Sequence, residues 1–300
     1  MTAVGIIGAG AVGQAVGAVL VASGWCRTLR VSSHAGRSAA GLVTDLEDMS
    51  HATASPVRVT ASTTAHMREC DAVVVCPRAA FTNRASRDVR MAGLRANGSL
   101  VRRLAGRFEG YDGVVLVVTN PVDIMTRLFA EVSGCARVLG VGSNTDSARY
   151  RAILARLLDV PSSAVDGHVI GEHGDHAVVC ASSTTVHGHP APVPVPQVRD
   201  ELAARPVRIA AGIGRTRFGP AGATVTALAH ALGVTDGVVE LSAPWRGTYL
   251  GIPLRYSGGR PTVCLPPLDA DEARQLAAAE AKLRAAYDTL RSTEKETTPA

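Results

Sequence analysis

Lysine is almost absent from this chain. Of its 31 basic residues only Lys282 and Lys295 are lysine, the rest being arginine. Against 26 acidic residues the formal net charge is +5. The basic residues are spread along the chain instead of forming a stripe, so the bias is one of composition and no nucleic-acid partner is expected. No stretch approaches the ~20 apolar residues that a membrane-spanning helix needs, so no membrane partner is expected either. The opening MTAVGIIGAGAVG lacks the basic and long apolar regions of a secretory signal. The six cysteines, at 26, 70, 76, 135, 180 and 264, follow no CxxC spacing. Most sit in apolar runs, which points to buried, reduced thiols and a cytoplasmic location, with no metal site. Internal repeats and low-complexity domains are missing as well.

What is present is a regular alternation. Short apolar runs at Val4 to Ile7, Leu29 to Val31, Ala72 to Cys76, Val114 to Thr119 and Val138 to Val141 are each followed by a segment with helical spacing. Buried strands alternating with helices predict an α/β fold with a Rossmann-type doubly wound parallel sheet. Residues 1–143 are expected to form this dinucleotide-binding domain. Beyond it, ARYRAILARLLDV reads as a helix and Val165 to Thr185 as β-rich, so 144–292 is expected to be an α+β catalytic domain. Pro190, Pro192, Pro194 and Pro196 are expected in a loop, because alternate prolines neither donate to a ladder nor continue a helix. The stripe Leu276, Ala279, Leu283, Tyr287, Leu290 predicts a long helix capped by Asp269. Residues 293–300 are expected to be a disordered tail.

The first turn carries chemistry. Gly8, Gly10 and Gly13 have the GxGxxG spacing between a strand and a helix, where glycines let the backbone approach a pyrophosphate and let the helix pack on the sheet. The cofactor expected is NAD or NADP. The second strand of such a unit ordinarily ends in an acid that takes the ribose hydroxyls; here it ends VSSHAGR. Ser33 stands at the acid's place, with His34 and Arg37 just after. Hydroxyls and an arginine would receive a 2′-phosphate that a carboxylate would repel, so the reading leans to NADP, with NAD bound without the acid as the alternative.

Polar groups then recur at strand ends, where an open α/β sheet binds its ligands. Asn120 ends the run Val114 to Thr119, and His173 follows the strand expected at Val165 to Ile170. Asp146 and Arg149 stand at i and i+3 in the first turn of a helix and share a face. The segments GAGAVG, DAVVVC, TNPVDIMT, GSNTDSARYR and IGEHGDH resemble, in order and spacing, those of the lactate and malate dehydrogenases, over nearly the whole chain.

The resemblance implies a two-domain, cytoplasmic L-2-hydroxy acid dehydrogenase, a homodimer or homotetramer acting on a small 2-hydroxy or 2-oxo acid. His173 would be the proton donor and acceptor, and Asp146 would hold its other nitrogen. Arg149 would grip the substrate carboxylate. Asn120 would bond the substrate oxygen and place it beside the nicotinamide. Thr216 resembles the family's pocket threonine. A loop arginine would polarise the carbonyl: counting back from the helix around Asn97 chooses Arg90, while aligning SRD chooses Arg87. With Arg90 in that role Arg84 falls at the discriminating position and favours a dicarboxylate, whereas DSAR and the long loop favour lactate-type or branched acids. The substrate side chain therefore stays open. The alternatives are a dehydrogenase-like module that binds dinucleotide without turnover, and an NAD(P)-dependent dehydrogenase with a different carbonyl substrate.

Overall fold

The computed structural model describes residues 2–81 and 91–296. Six short strands, β1 (Ala3–Ile7), β2 (Thr28–Ser32), β3 (Arg58–Ala61), β4 (Ala72–Val75), β5 (Val114–Val117) and β6 (Val138–Gly140), pair in parallel in the order β3-β2-β1-β4-β5-β6. The helices α1 (Ala11–Ala22), α2 (Gly36–Ala52), α3 (Leu94–Ala105) and α4 (Val122–Ser133) connect them. Both faces of the sheet are covered, which is why β4 and β5 are unbroken apolar runs, AVVV and VVLV, buried at every position. The strand order reverses between β1 and β4, so a crevice opens beyond their carboxyl ends.

The second half extends the same sheet. After α5 (Ser143–Leu158) come β7 (Val165–Asp166), β8 (Val169–Gly171), β9 (Ala177–Val179), β10 (Thr185–Val186), β11 (His189–Pro190), α6 (Val195–Ile213) and α7 (Phe218–Ala231). The long antiparallel pair β12 (Gly237–Trp245) and β13 (Thr248–Ser257) is followed by β14 (Arg260–Val263) and α8 (Ala270–Glu296). β12 joins β6 antiparallel, and β13 passes the sheet on to β8 and β9, whereas β7, β10 and β11 form a separate three-stranded sheet in the order β11-β10-β7. Glycine permits these joins. A Cβ at Gly140 would stand 2.4 Å from Thr126 Oγ1, and one at Gly251, opposite Gly171, would stand 1.7 Å from Ser143 Oγ. The end of β8 is thereby pressed against the start of α5.

Four details differ from the sequence reading. The strand expected at Val165 to Ile170 is two, β7 and β8, and they lie in different sheets. The spacing does not reveal β3, an edge strand of four residues, or the hairpin of β12 and β13. The proline segment is not one loop: Pro190 pairs with Thr185 at a sheet edge, and Pro196 lies in the first turn of α6, where its missing N–H has no helical partner to lose. α8 runs to Glu296, four residues into the span expected to be a disordered tail. Its cap is as expected: Asp269 Oδ1 accepts the N–H groups of Asp271 and Glu272, and Glu272 Oε2 accepts the N–H of Asp269 in return. The stripe from Leu276 to Leu290 is buried.

Candidate active site

The glycine turn after β1 has little room inside the protein and open space outside it. Gly8 has φ +118°, and a Cβ there would lie 2.8 Å from Pro77 N. A Cβ at Gly13 would lie 1.8 Å from Gly8 O, so α1 crosses the turn in backbone contact. At Gly10, by contrast, a Cβ would meet nothing within 4 Å. Gly10 caps α1, no side chain bonds the helix start, and the first turn holds no acidic residue. Backbone amides and a helix dipole thus face an open cradle, which suits the pyrophosphate of a dinucleotide.

β2 ends beside this cradle, with Ser32 O accepting the Gly8 N–H at 2.8 Å. Ser32 is buried, its hydroxyl 3.4 Å from that of Thr64. Ser33 is half-buried, whereas His34 and Arg37 are exposed. Arg37 lies in the first turn of α2, which carries no acidic residue. The rim where a ribose would rest therefore holds hydroxyls, an imidazole and a guanidinium.

The polar groups of the second half converge. α5 carries Asp146 and Arg149 in its first two turns, and the β8–β9 loop carries His173. His173 Nδ1 lies 2.5 Å from Asp146 Oδ2, and Arg149 Nη1 lies 3.3 Å from Asp146 Oδ1. Asp146 is buried, while His173 and Arg149 are partly so. A Cβ at Gly142, the residue before α5, would lie 2.7 Å from His173 Cβ, so glycine lets the imidazole rest on the helix start. Gly171 has φ +83°, which turns the chain out of β8.

Asn120 is exposed beyond β5, preceding a cis peptide bond to Pro121. Thr216 is half-buried in the link before α7, and the first turn of α7 lies near Thr145: a Cβ at Gly219 would stand 3.9 Å from its Cγ2. The three loop arginines, Arg84, Arg87 and Arg90, lie outside the described residues. Among the described residues no group of three or more His, Cys, Asp and Glu side chains could hold a metal ion. No described helix is long and apolar enough to cross a membrane.

The sequence reading missed the residues that hold this constellation. Asp123, in the first turn of α4, accepts the His173 N–H on Oδ2 at 2.9 Å. Its carboxyl is 3 % exposed, and burial pushes its pKa up to about 6, against the pull of the His173 N–H. Glu172 is buried, contacts Lys282 Nζ at 2.8 Å and accepts the His176 N–H. Asn97 accepts the Ala79 N–H and donates to Asn120 O, tying the start of the 77–91 segment to the Asn120 turn. Asp123 is the Asp of TNPVD and Glu172 the Glu of GEHGD, but no local pattern in the sequence names their partners.

The sequence and the fold have counterparts among known proteins. Residues 2–140 match the NAD binding domain of lactate/malate dehydrogenase. An L-lactate dehydrogenase of Lactobacillus delbrueckii subsp. bulgaricus is 32% identical over 271 residues, covering 84% of this chain and 87% of that protein. In fold, a lactate dehydrogenase from a Medee basin deep-sea metagenome library superposes with a TM-score of 0.88 at 22% identity, covering 97% of this chain and 99% of its own. The malate dehydrogenase of Plasmodium falciparum gives 0.88 at 19% identity, with the same coverage of both chains.

Proposed function

The chain belongs to the lactate/malate dehydrogenase family, and on that premise we propose how its parts divide the work. It is an oxidoreductase of the 2-hydroxy acid class that uses a nicotinamide dinucleotide. Residues 1–143 form the dinucleotide domain and 144–292 the domain that holds the acid. The observation carrying the assignment is the 2.5 Å contact between His173 Nδ1 and Asp146 Oδ2.

A carboxylate on Nδ1 makes that nitrogen the N–H donor and leaves Nε2 to the substrate oxygen. In the oxidative direction Nε2 takes the proton from the substrate hydroxyl, and the buried carboxylate stabilises the imidazolium that results. In the reductive direction the same Nε2–H returns the proton to the carbonyl oxygen. The nicotinamide, when bound, supplies or accepts the hydride. The turn of Gly8 and Gly10 would hold its pyrophosphate, and Gly13 lets α1 pack against that turn. Arg149 orients the acid by its carboxylate: a guanidinium has five N–H donors, enough to serve Asp146 and a substrate carboxylate together. Asn120 would bond the substrate oxygen and place it beside the nicotinamide, and Arg90, or Arg87 in its place, would polarise it. Thr216 would border the substrate side chain, and Arg84 would be the residue that discriminates a second carboxylate.

The cofactor is NADP in preference to NAD, on the strength of Ser33, His34 and Arg37 at the cradle's rim. The enzyme works in the cytoplasm as a homodimer or homotetramer. Purified protein is tested with pyruvate, 2-oxobutyrate, 4-methyl-2-oxopentanoate and oxaloacetate, each with NADH and with NADPH, by nicotinamide absorbance. Reduction of at least one acid is expected. Cofactor binding without turnover of any would instead indicate a binding module.

A further inference from the structure

Because arginine fills nearly every basic position, the lysine at 282 invites a question about its partner. Lys282 projects from α8, and its ammonium lies 2.8 Å from Glu172 Oε1 and 3.0 Å from Oε2. Glu172 is 4 % exposed and immediately precedes His173. Its Oε2 also accepts the N–H of His176 at 3.0 Å. One carboxylate thus spans the turn that carries His173, and Lys282 balances its charge. Gly174 makes room for it, since a Cβ there would stand 2.6 Å from Glu172 Cδ.

The same helix holds the β8–β9 pair at its other end. Glu272, in the first turn of α8, accepts the N–H and the hydroxyl of Ser182, just beyond β9. Between these points Ala279 packs under Gly171, 3.4 Å from where its Cβ would be. α8 is itself seated by the buried Leu276, Leu283 and Tyr287. A buried carboxylate that loses its cation relieves the charge by moving toward water, and the turn it spans moves with it.

We propose that Lys282 is a positioning residue for His173: through Glu172 it fixes the 172–176 turn so that the imidazole stays on Asp146. The proposal rests on His173 being the proton-transfer residue. Small displacements at a reacting centre are costly, about 100-fold for about 1 Å, so a partial relaxation of the turn should cost about tenfold in kcat. The glycine cradle belongs to the other half of the chain, and cofactor affinity should not change.

Lys282→Met, Lys282→Gln, Glu172→Gln, the Lys282→Met/Glu172→Gln pair and His173→Ala are compared with the parent on pyruvate and oxaloacetate. NADPH and NADH binding is followed by fluorescence and folding by circular dichroism. The expected result is a kcat about tenfold lower in Lys282→Met, with KM and the Kd of the cofactor the parent uses changed less than about threefold. The double variant should be no worse than Glu172→Gln alone, since the harm is the unbalanced carboxylate. Lys282→Gln, which keeps an N–H donor and guards against misfolding of the first variant, should fall between parent and Lys282→Met. If His173→Ala is inactive while both Lys282 variants keep the parent's kcat, the positioning role is overturned. It is also overturned if kcat merely tracks the folded fraction. Activity retained in His173→Ala would instead overturn the reading of His173 itself, whatever Lys282 does.

Discussion

Asp123→Asn should make the protein relatively more stable at alkaline pH. Asp123 is buried on α4, with one oxygen on the His173 N–H and the Ser242 hydroxyl also favouring its charged form. Burial raises its pKa from 3.8 to about 6. The folded state therefore binds the proton more tightly than the unfolded chain. The sign follows from that: stability from this group is complete below about pH 4 and is lost as the pH rises through about 6. About two pKa units at 1.36 kcal/mol each give a total near 3 kcal/mol, of which about 1.4 kcal/mol falls between pH 5 and 8. Asparagine keeps an acceptor for His173 N–H and leaves an unsatisfied amide, but that cost does not vary with pH. For a chain of this length the difference in Tm between variant and parent should grow by about 2 °C from pH 5 to 8 in favour of the variant. Thermal unfolding by circular dichroism at both pH values measures it. Repeating the comparison in a His173→Ala background removes the imidazole's own titration. A difference that is the same at both pH values, or that moves against the variant, refutes the buried-carboxylate argument.

Other substitutions probe the remaining parts. Gly13→Ala must push against Gly8 O and should cost about 1–3 kcal/mol in stability. Gly10→Ala, facing open space, should change stability by less than about 0.5 kcal/mol yet weaken NADH and NADPH binding in calorimetric titrations. Equal damage from both would show that the turn serves packing alone. Arg149→Lys should raise KM for every 2-oxo acid, because a point ammonium does not reproduce two parallel hydrogen bonds; equal use by the parent of ketones lacking a carboxylate would remove Arg149 as the anchor. Ser33→Asp should turn preference toward NADH by restoring a carboxylate that repels a 2′-phosphate. A parent kcat/KM with NADH already about tenfold above that with NADPH, or about 1.4 kcal/mol, would refute that cofactor reading.

The parallel half of the sheet was legible because β4 and β5 are buried at every position and read as unbroken apolar runs, while β1 and β6 are nearly so and β2 keeps Leu29 and Val31 buried on either side of Arg30. β3 was not: its burial alternates, with Val59 alone fully covered among Arg58, Thr60 and Ala61. The hairpin β12–β13 was hidden by Glu240, Ser242 and Pro244, which interrupt its apolar pattern. Glu240 is tolerated inside because His168 and Arg151, 72 and 89 residues away in sequence, meet its carboxylate. The site divides along the same line. His173, Asp146, Arg149 and Asn120 could be read from strand ends and motif order. Asp123 and Lys282 act across separations of 50 and 110 residues, and only the folded chain shows whom they hold.

The role of His173 is tested most directly by His173→Ala, assayed on a 2-oxo acid that the parent reduces, with NADH or NADPH binding measured on the same preparation. General acid–base catalysis supplies about 10²–10⁴-fold, so kcat should fall by that factor while the cofactor Kd stays near the parent's. Near-parental turnover in this variant would contradict the account.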